Sequence, residues 1–187
     1  MLLRTLRFLA GAAAGVLFWW YATPAYDDAL SIAAQQILRV DKRLCGPHAE
    51  AVDRSVFVHP RLCVAPTATI PADQLTYNII LLAALFAMRG RSVGSFLLSC
   101  AIVAISHVLL LAVSIESTYA TKNGAWSAQH YSTMEQSIWT SAEFFWRLAG
   151  MFAIVFACWW LTQPPTDRPP DASGARRPKR AAERGPR

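Results

Sequence analysis

The chain has 187 residues, 54% of them hydrophobic and only 16% charged, against roughly 25% charged in an ordinary soluble domain. Its apolar residues stand in blocks rather than at the periodicity of a globular core, which argues against a water-soluble fold and for an all-α membrane protein. The net charge of +6 does not mark a nucleic-acid binder, because Arg168, Arg176, Arg177, Lys179, Arg180, Arg184 and Arg187 concentrate the excess in the C-terminal tail.

Arg4 and Arg7 precede the first apolar block, residues 8–22, FLAGAAAGVLFWWYA. A basic start and apolar middle are shared with secretory signals, but Phe18, Trp19, Trp20 and Tyr21 stand where a cleavage site needs small residues. The same aromatics suit the outer interface of a retained membrane helix. Gly11 and Gly15 have the GxxxG spacing that lets a second helix approach closely, or else simply fill an N-terminal anchor. Over residues 26–40, Tyr26, Leu30, Ala33 and Ile37 recur as the stripe of an amphipathic helix, which would lie on the outer leaflet or cover the bundle. Between residues 41 and 73, the β-branched and aromatic stretches 54–59 and 62–64 predict a short β-hairpin turning at His59-Pro60-Arg61. Pro47, Pro60, Pro66 and Pro71 limit any regular element there to a few residues.

Residues 75–88 and 93–113 are apolar and joined only by Arg89, Gly90, Arg91 and Ser92, a linker short enough to force an antiparallel helical hairpin. Arginines in that turn assign it to the cytoplasm. Residues 114–136 form a second outer segment with a turn at Lys122-Asn123-Gly124. The last membrane helix covers residues 138–161, anchored by Trp139 outside and by Trp159 and Trp160 inside, with Ala149, Ala153 and Ala157 forming a small-residue row. Residues 162–187, rich in proline and arginine, read as a disordered basic cytoplasmic tail.

The expected architecture is four transmembrane helices near residues 8–22, 75–88, 93–113 and 138–161, with both termini cytoplasmic. Extracytoplasmic segments 23–74 and 114–136 hold six Lys or Arg and the shorter inner segments eleven, as the positive-inside rule requires. The first two helices, fifteen and fourteen residues, must recruit flanking residues, thin the bilayer or be shielded by neighbours.

Cys45 and Cys63 fall in the first outer segment, where a disulfide would contribute on the order of 3 kcal/mol by closing the loop. The alternatives are two free thiols, or a zinc site completed by His48 and His59. Cys-Gly-Pro-His and His-Pro-Arg-Leu-Cys each place a stiff proline between the would-be ligands, so the disulfide needs fewer assumptions. Cys100 and His107 share a face of one helix, roughly 10 Å apart along its axis at ~1.5 Å per residue. They are either parts of a thiol catalytic set completed by another helix, or a small apolar thiol and a histidine hydrogen-bonded across the bundle. Glu143 and Arg147, one turn apart, form an intramembrane ion pair of structural or binding role. No Walker loop, HExxH, GxSxG or dinucleotide fingerprint is present, and no cofactor is expected.

The order of parts, an N-terminal helix ending in FWWYATPAY, an amphipathic stretch, an outer loop and then PADQLTYNIILLAALFA with Tyr77 near its start, resembles a family of small membrane proteins associated with exosortase H, a membrane-embedded sorting enzyme of Gram-negative bacteria. The resemblance covers most of residues 4–161; the proline- and arginine-rich tail departs from it. It implies an accessory role in surface-protein sorting and carries over no catalytic residues. The leading expectation is therefore a non-enzymatic accessory or scaffold protein of the bacterial inner membrane, whose partners are the bilayer and a larger membrane protein. The alternatives are a thiol peptidase or transpeptidase using Cys100 and His107, and a small-solute transporter component using Glu143 and Arg147.

Overall fold

The computed structural model describes residues 1–89 and 92–162, a mostly helical chain with one small sheet. The tip of the expected helical turn and the expected disordered tail, residues 163–187, lie outside the described residues.

Helix α1, Leu2–Leu38, is continuous through Pro24 and joins what the sequence reads as a membrane helix and a separate amphipathic one. An interior proline costs about 3 kcal/mol in an isolated helix. Here Leu30, Ala34 and Leu38 are buried beyond it, and the Thr23 hydroxyl donates to the Trp19 carbonyl in the turn before it. The buried stripe is Asp27, Leu30, Ser31, Ala34 and Leu38, rotated from the expected one, and Ile37 faces outward. The rotation has a polar cause: Gln35 Oε1 accepts from the Ala49 amide at 3.0 Å and lies 3.2 Å from His48 Nδ1, which pins the sheet to this face.

A 3₁₀ turn, Lys42–Leu44, leads into the sheet, and Cys45 is bonded to Cys63 with a Cα separation of 5.7 Å. Strands β1 (Pro47–Val52), β2 (Ser55–Pro60) and β3 (Ala68–Pro71) form an antiparallel sheet in that order. The hairpin turns at Asp53-Arg54 rather than at His59-Pro60-Arg61, and residues 62–64 are not a strand. Proline has no ladder N–H, so Pro47 and Pro60 face each other at the open end of the hairpin instead of forming its turn. Asp53 and Arg54 both have positive φ, 48° and 64°, the sense that a two-residue hairpin turn needs to match strand twist. The inner face, with Ala49, Val56, Val58, Ala68 and Ile70, joins one buried core with Leu38 of α1 and Leu111, Ile115 and Tyr119 of the central helix.

The block 75–88 is broken at Tyr77 into α2, Asp73–Thr76, and α3, Asn78–Arg89. The central helix α4, Val93–Thr121, is capped by the Ser92 hydroxyl and extends eight residues past the predicted end. After the turn at Lys122–Gly124 comes α5, Ala125–His130. The final helix begins at α6, Thr133–Phe145, five residues earlier than predicted, because Ser132 and Glu135 form a capping box. It passes through a π-helical turn, Trp146–Gly150, into α7, Met151–Leu161.

Among the described residues three helices, Leu2–Leu38, Val93–Thr121 and Thr133–Leu161, are long and apolar enough to cross a membrane. Helix α3 has 12 residues and reaches only about 18 Å, short of a ~30 Å hydrocarbon core. It lies tightly along α1. A Cβ on Gly15 would come within 3.1 Å of Ala83 Cβ and Ile80 Cα, and one on Gly11 within 2.9 Å of the Ala83 carbonyl. The GxxxG spacing is thus used inside the molecule, with α3 as the close helix.

Candidate functional site

Where α1, α3, α4 and α7 converge, a buried polar chain joins all four. The Tyr26 hydroxyl lies 2.8 Å from His107 Nδ1, His107 Nε2 lies 2.6 Å from Asn78 Oδ1, and Asn78 Nδ2 donates to the Met151 carbonyl at 3.4 Å. These partners define the tautomer: Nε2 carries the proton and donates to Asn78, and Nδ1 accepts from Tyr26. His107 and Asn78 are fully buried. In an apolar setting an unpaired amide or imidazole is costly, so this chain orders the crossing by making each helix complete another's hydrogen bonds. Tyr26 and Asn78 are members that sequence patterning does not single out. The available signal is Asn78, a lone amide opening the apolar run NIILLAALFAM.

Cys100 is not brought to His107, both of whose nitrogens are engaged elsewhere. The thiol is half-buried in the wall of an apolar cleft of about 640 Å³ between α1, α3 and α4, with Gly15, Phe18, Thr23, Ala83 and Ala101. At one end of this cleft Trp19 Nε1 donates to the Thr76 hydroxyl at 3.1 Å.

Glu143 and Arg147 are paired at 2.9 Å, as their spacing predicts. The pair straddles the entry to the π-helical turn, and Arg147 Nε is buried without a hydrogen-bond partner among the described residues. Below it Ala149, Ala153 and Ala157 face outward, flanked by exposed Phe145, Phe152, Phe156 and Trp160.

In the cap around the sheet, the disulfide consumes the two thiols that a zinc site would need. His48 is bound to Gln35; His59 Nδ1 lies 3.2 Å from the Thr67 hydroxyl and its Nε2 3.3 Å from Glu50 Oε1. No cluster of three metal-ligating side chains occurs among the described residues. Arg43 clamps the cap to the final helix. It reaches Asp41 at 3.1 Å and Glu135 at 2.9 Å, and lies 4.3 Å over the Tyr131 ring. The Tyr131 hydroxyl donates to Glu116 Oε2 at 2.8 Å; burial, with the Glu116 carboxylate beside it, pushes the phenol well above its ordinary pKa.

No protein-family model matches the chain, and neither does any curated protein or solved structure. What defines the described residues is their own set of features: helices long and apolar enough to cross a membrane, a disulfide-closed cap and an outward small-residue face.

Proposed function

We propose that the chain is a non-enzymatic integral membrane accessory protein that docks a larger membrane protein through the outward face of α7. The observation that carries this is the contrast between its two small-residue rows. Gly11 and Gly15 are covered by α3, whereas Ala149, Ala153 and Ala157 are bare between exposed aromatics. In lipid, helices associate by close van der Waals packing rather than by escape from water, so a bare alanine row is where another helix gains most.

In this reading α2 and α3 make a fourth, shielded crossing beside α1. The sheet cap and α5 lie outside, both termini are cytoplasmic, and the membrane is the bacterial inner one. Support comes from the arginines of the inner segments and from the disulfide, which suits an oxidising compartment. The resemblance to exosortase H-associated proteins gives the partner its class, a membrane-embedded protein-sorting enzyme.

The test is co-isolation with such an enzyme in mild detergent. Wild type retains the partner, and Ala153→Trp, a change on an exposed position, releases it without lowering the melting temperature. Equal recovery with both proteins contradicts the docking face. A second reading takes Cys100, which lines the apolar cleft, as the nucleophile of a thiol peptidase. It requires a base other than His107, and unchanged sorting in cells carrying Cys100→Ala excludes it.

A further inference from the structure

Asp27 presents a problem the docking role does not solve. Its side chain is 1% exposed, and neither carboxylate oxygen has a hydrogen-bond partner among the described residues. Buried carboxylates are ordinarily paired, because an isolated charge taken out of water is strongly penalised. Asp27 lies against a cavity of about 380 Å³ between α1 and the β1–β2 turn, whose wall includes Pro24, Asp28, Asp53 and Arg54. Asp28 and Asp53 are exposed, so they form the rim and Asp27 the floor. Arg54 makes no hydrogen bond to the floor: its guanidinium carbon lies 4.0 Å over the Trp20 ring and 5.6 Å from the Trp19 ring, and it acts on Asp27 only through space.

We infer that this cavity is a binding site for the headgroup of an ethanolamine phospholipid, with the primary ammonium on Asp27 and the phosphate facing Arg54. Three carboxylates against one guanidinium select a cation, and an ammonium supplies N–H donors for both orphaned Asp27 oxygens at once. A divalent metal would need a fuller oxygen shell, and no cluster of three ligating side chains occurs among the described residues. The position decides the source of the ammonium. The cavity opens one turn beyond the aromatic run Phe18–Tyr21, the belt that marks a membrane–water interface, where headgroups lie. A zwitterionic headgroup also matches an acidic floor next to a basic wall.

The test uses the full chain in detergent, titrated by native mass spectrometry with dioleoylphosphatidylethanolamine, dioleoylphosphatidylcholine and dioleoylphosphatidylglycerol. Choline keeps the phosphate and positive charge but has no N–H to donate; glycerol has no cation. Wild type binds the ethanolamine lipid at least tenfold more tightly than either. Asp27→Asn erases that preference to within twofold and melts no lower than wild type in lipid-free detergent. Arg54→Gln weakens the ethanolamine and choline lipids alike. If Asp27→Asn does not fold, Asp53→Asn on the exposed rim reads the same cavity and lowers the preference severalfold. Equal binding of ethanolamine and choline lipids overturns the assignment, as does a preference that survives Asp27→Asn. Saturable binding of lysine amide or Mg²⁺ without an ethanolamine preference also overturns it and directs the site to a protein amine or a metal ion.

Discussion

The residue that ties the bundle together is His107. It is the member of the Tyr26–His107–Asn78 chain that engages two side chains on different helices through a single ring, so losing either partner strands a buried nitrogen. Tyr26→Phe removes only the hydroxyl that Nδ1 accepts from and leaves the ring packed. The expected cost is about 1–2 kcal/mol, seen as a lower melting temperature in detergent. Asn78→Leu strands Nε2–H and frees the Met151 carbonyl, so it should cost at least as much. Equal melting of wild type and both variants would show that the chain is not a clasp. Part of this is legible in the sequence: a histidine in the middle of an apolar helix implies a cross-bundle partner, and Glu143–Arg147 follows from one-turn spacing. Which residue meets His107 is not, because Tyr26 and Asn78 are 81 and 29 positions away and only packing brings them there. Asp27 is hidden for a related reason, since aspartates beside each other on a polar stretch of helix read as solvated charge until the hairpin covers one of them.

Elements are legible where a local signal dominates. The turn at Lys122–Gly124, the apolar blocks and the Cys45–Cys63 bond all follow from short-range chemistry. The hairpin register does not, because the prolines at its open end mimic turn residues while the true turn, Asp53-Arg54, lacks the usual glycine. The continuity of α1 through Pro24 is equally hidden, since it depends on burial beyond the proline. Two predictions belong at this scale. Replacing both Cys45 and Cys63 with alanine should destabilise the cap by about 3 kcal/mol for a loop closed over 18 positions, measured as denaturant unfolding of the sheet while the helical signal persists. An unchanged midpoint would mean that Arg43 and the Gln35 contacts already hold the loop. Gly11→Leu, by contrast, should act on the helical bundle: a side chain there runs into Ala83 and Ala87, forcing α1 from α3 at a cost of about 1–3 kcal/mol. A cysteine pair at positions 15 and 83 reads the separation directly, crosslinking in an otherwise wild-type chain and not in that variant.

Taken whole, the described residues divide into a bundle of helices long and apolar enough to cross a membrane and a sheet cap, joined by the C-terminal halves of α1 and α4. The cap's sheet has its own apolar inner face, but that face shares one buried core with helix residues that include Leu38, Leu111, Ile115 and Tyr119, and the Tyr119 hydroxyl donates to the Val58 carbonyl at 3.1 Å. The cap should therefore not fold without the bundle: a peptide of residues 39–72 alone exposes its apolar inner face and gives no cooperative unfolding transition by circular dichroism. The topology itself is tested most sharply by cysteine accessibility in intact cells, using single cysteines in place of Thr69 in the sheet, Asn123 in the α4–α5 turn, Ser92 beside the helical turn and Ser173 in the tail, on a background lacking native cysteines. An impermeant maleimide is expected to label positions 69 and 123 in intact cells and to label 92 and 173 only after the membrane is breached. Labelling of 92 or 173 in intact cells, or release of the chain into the soluble fraction by carbonate washing, would contradict a membrane-embedded bundle with its sheet outside.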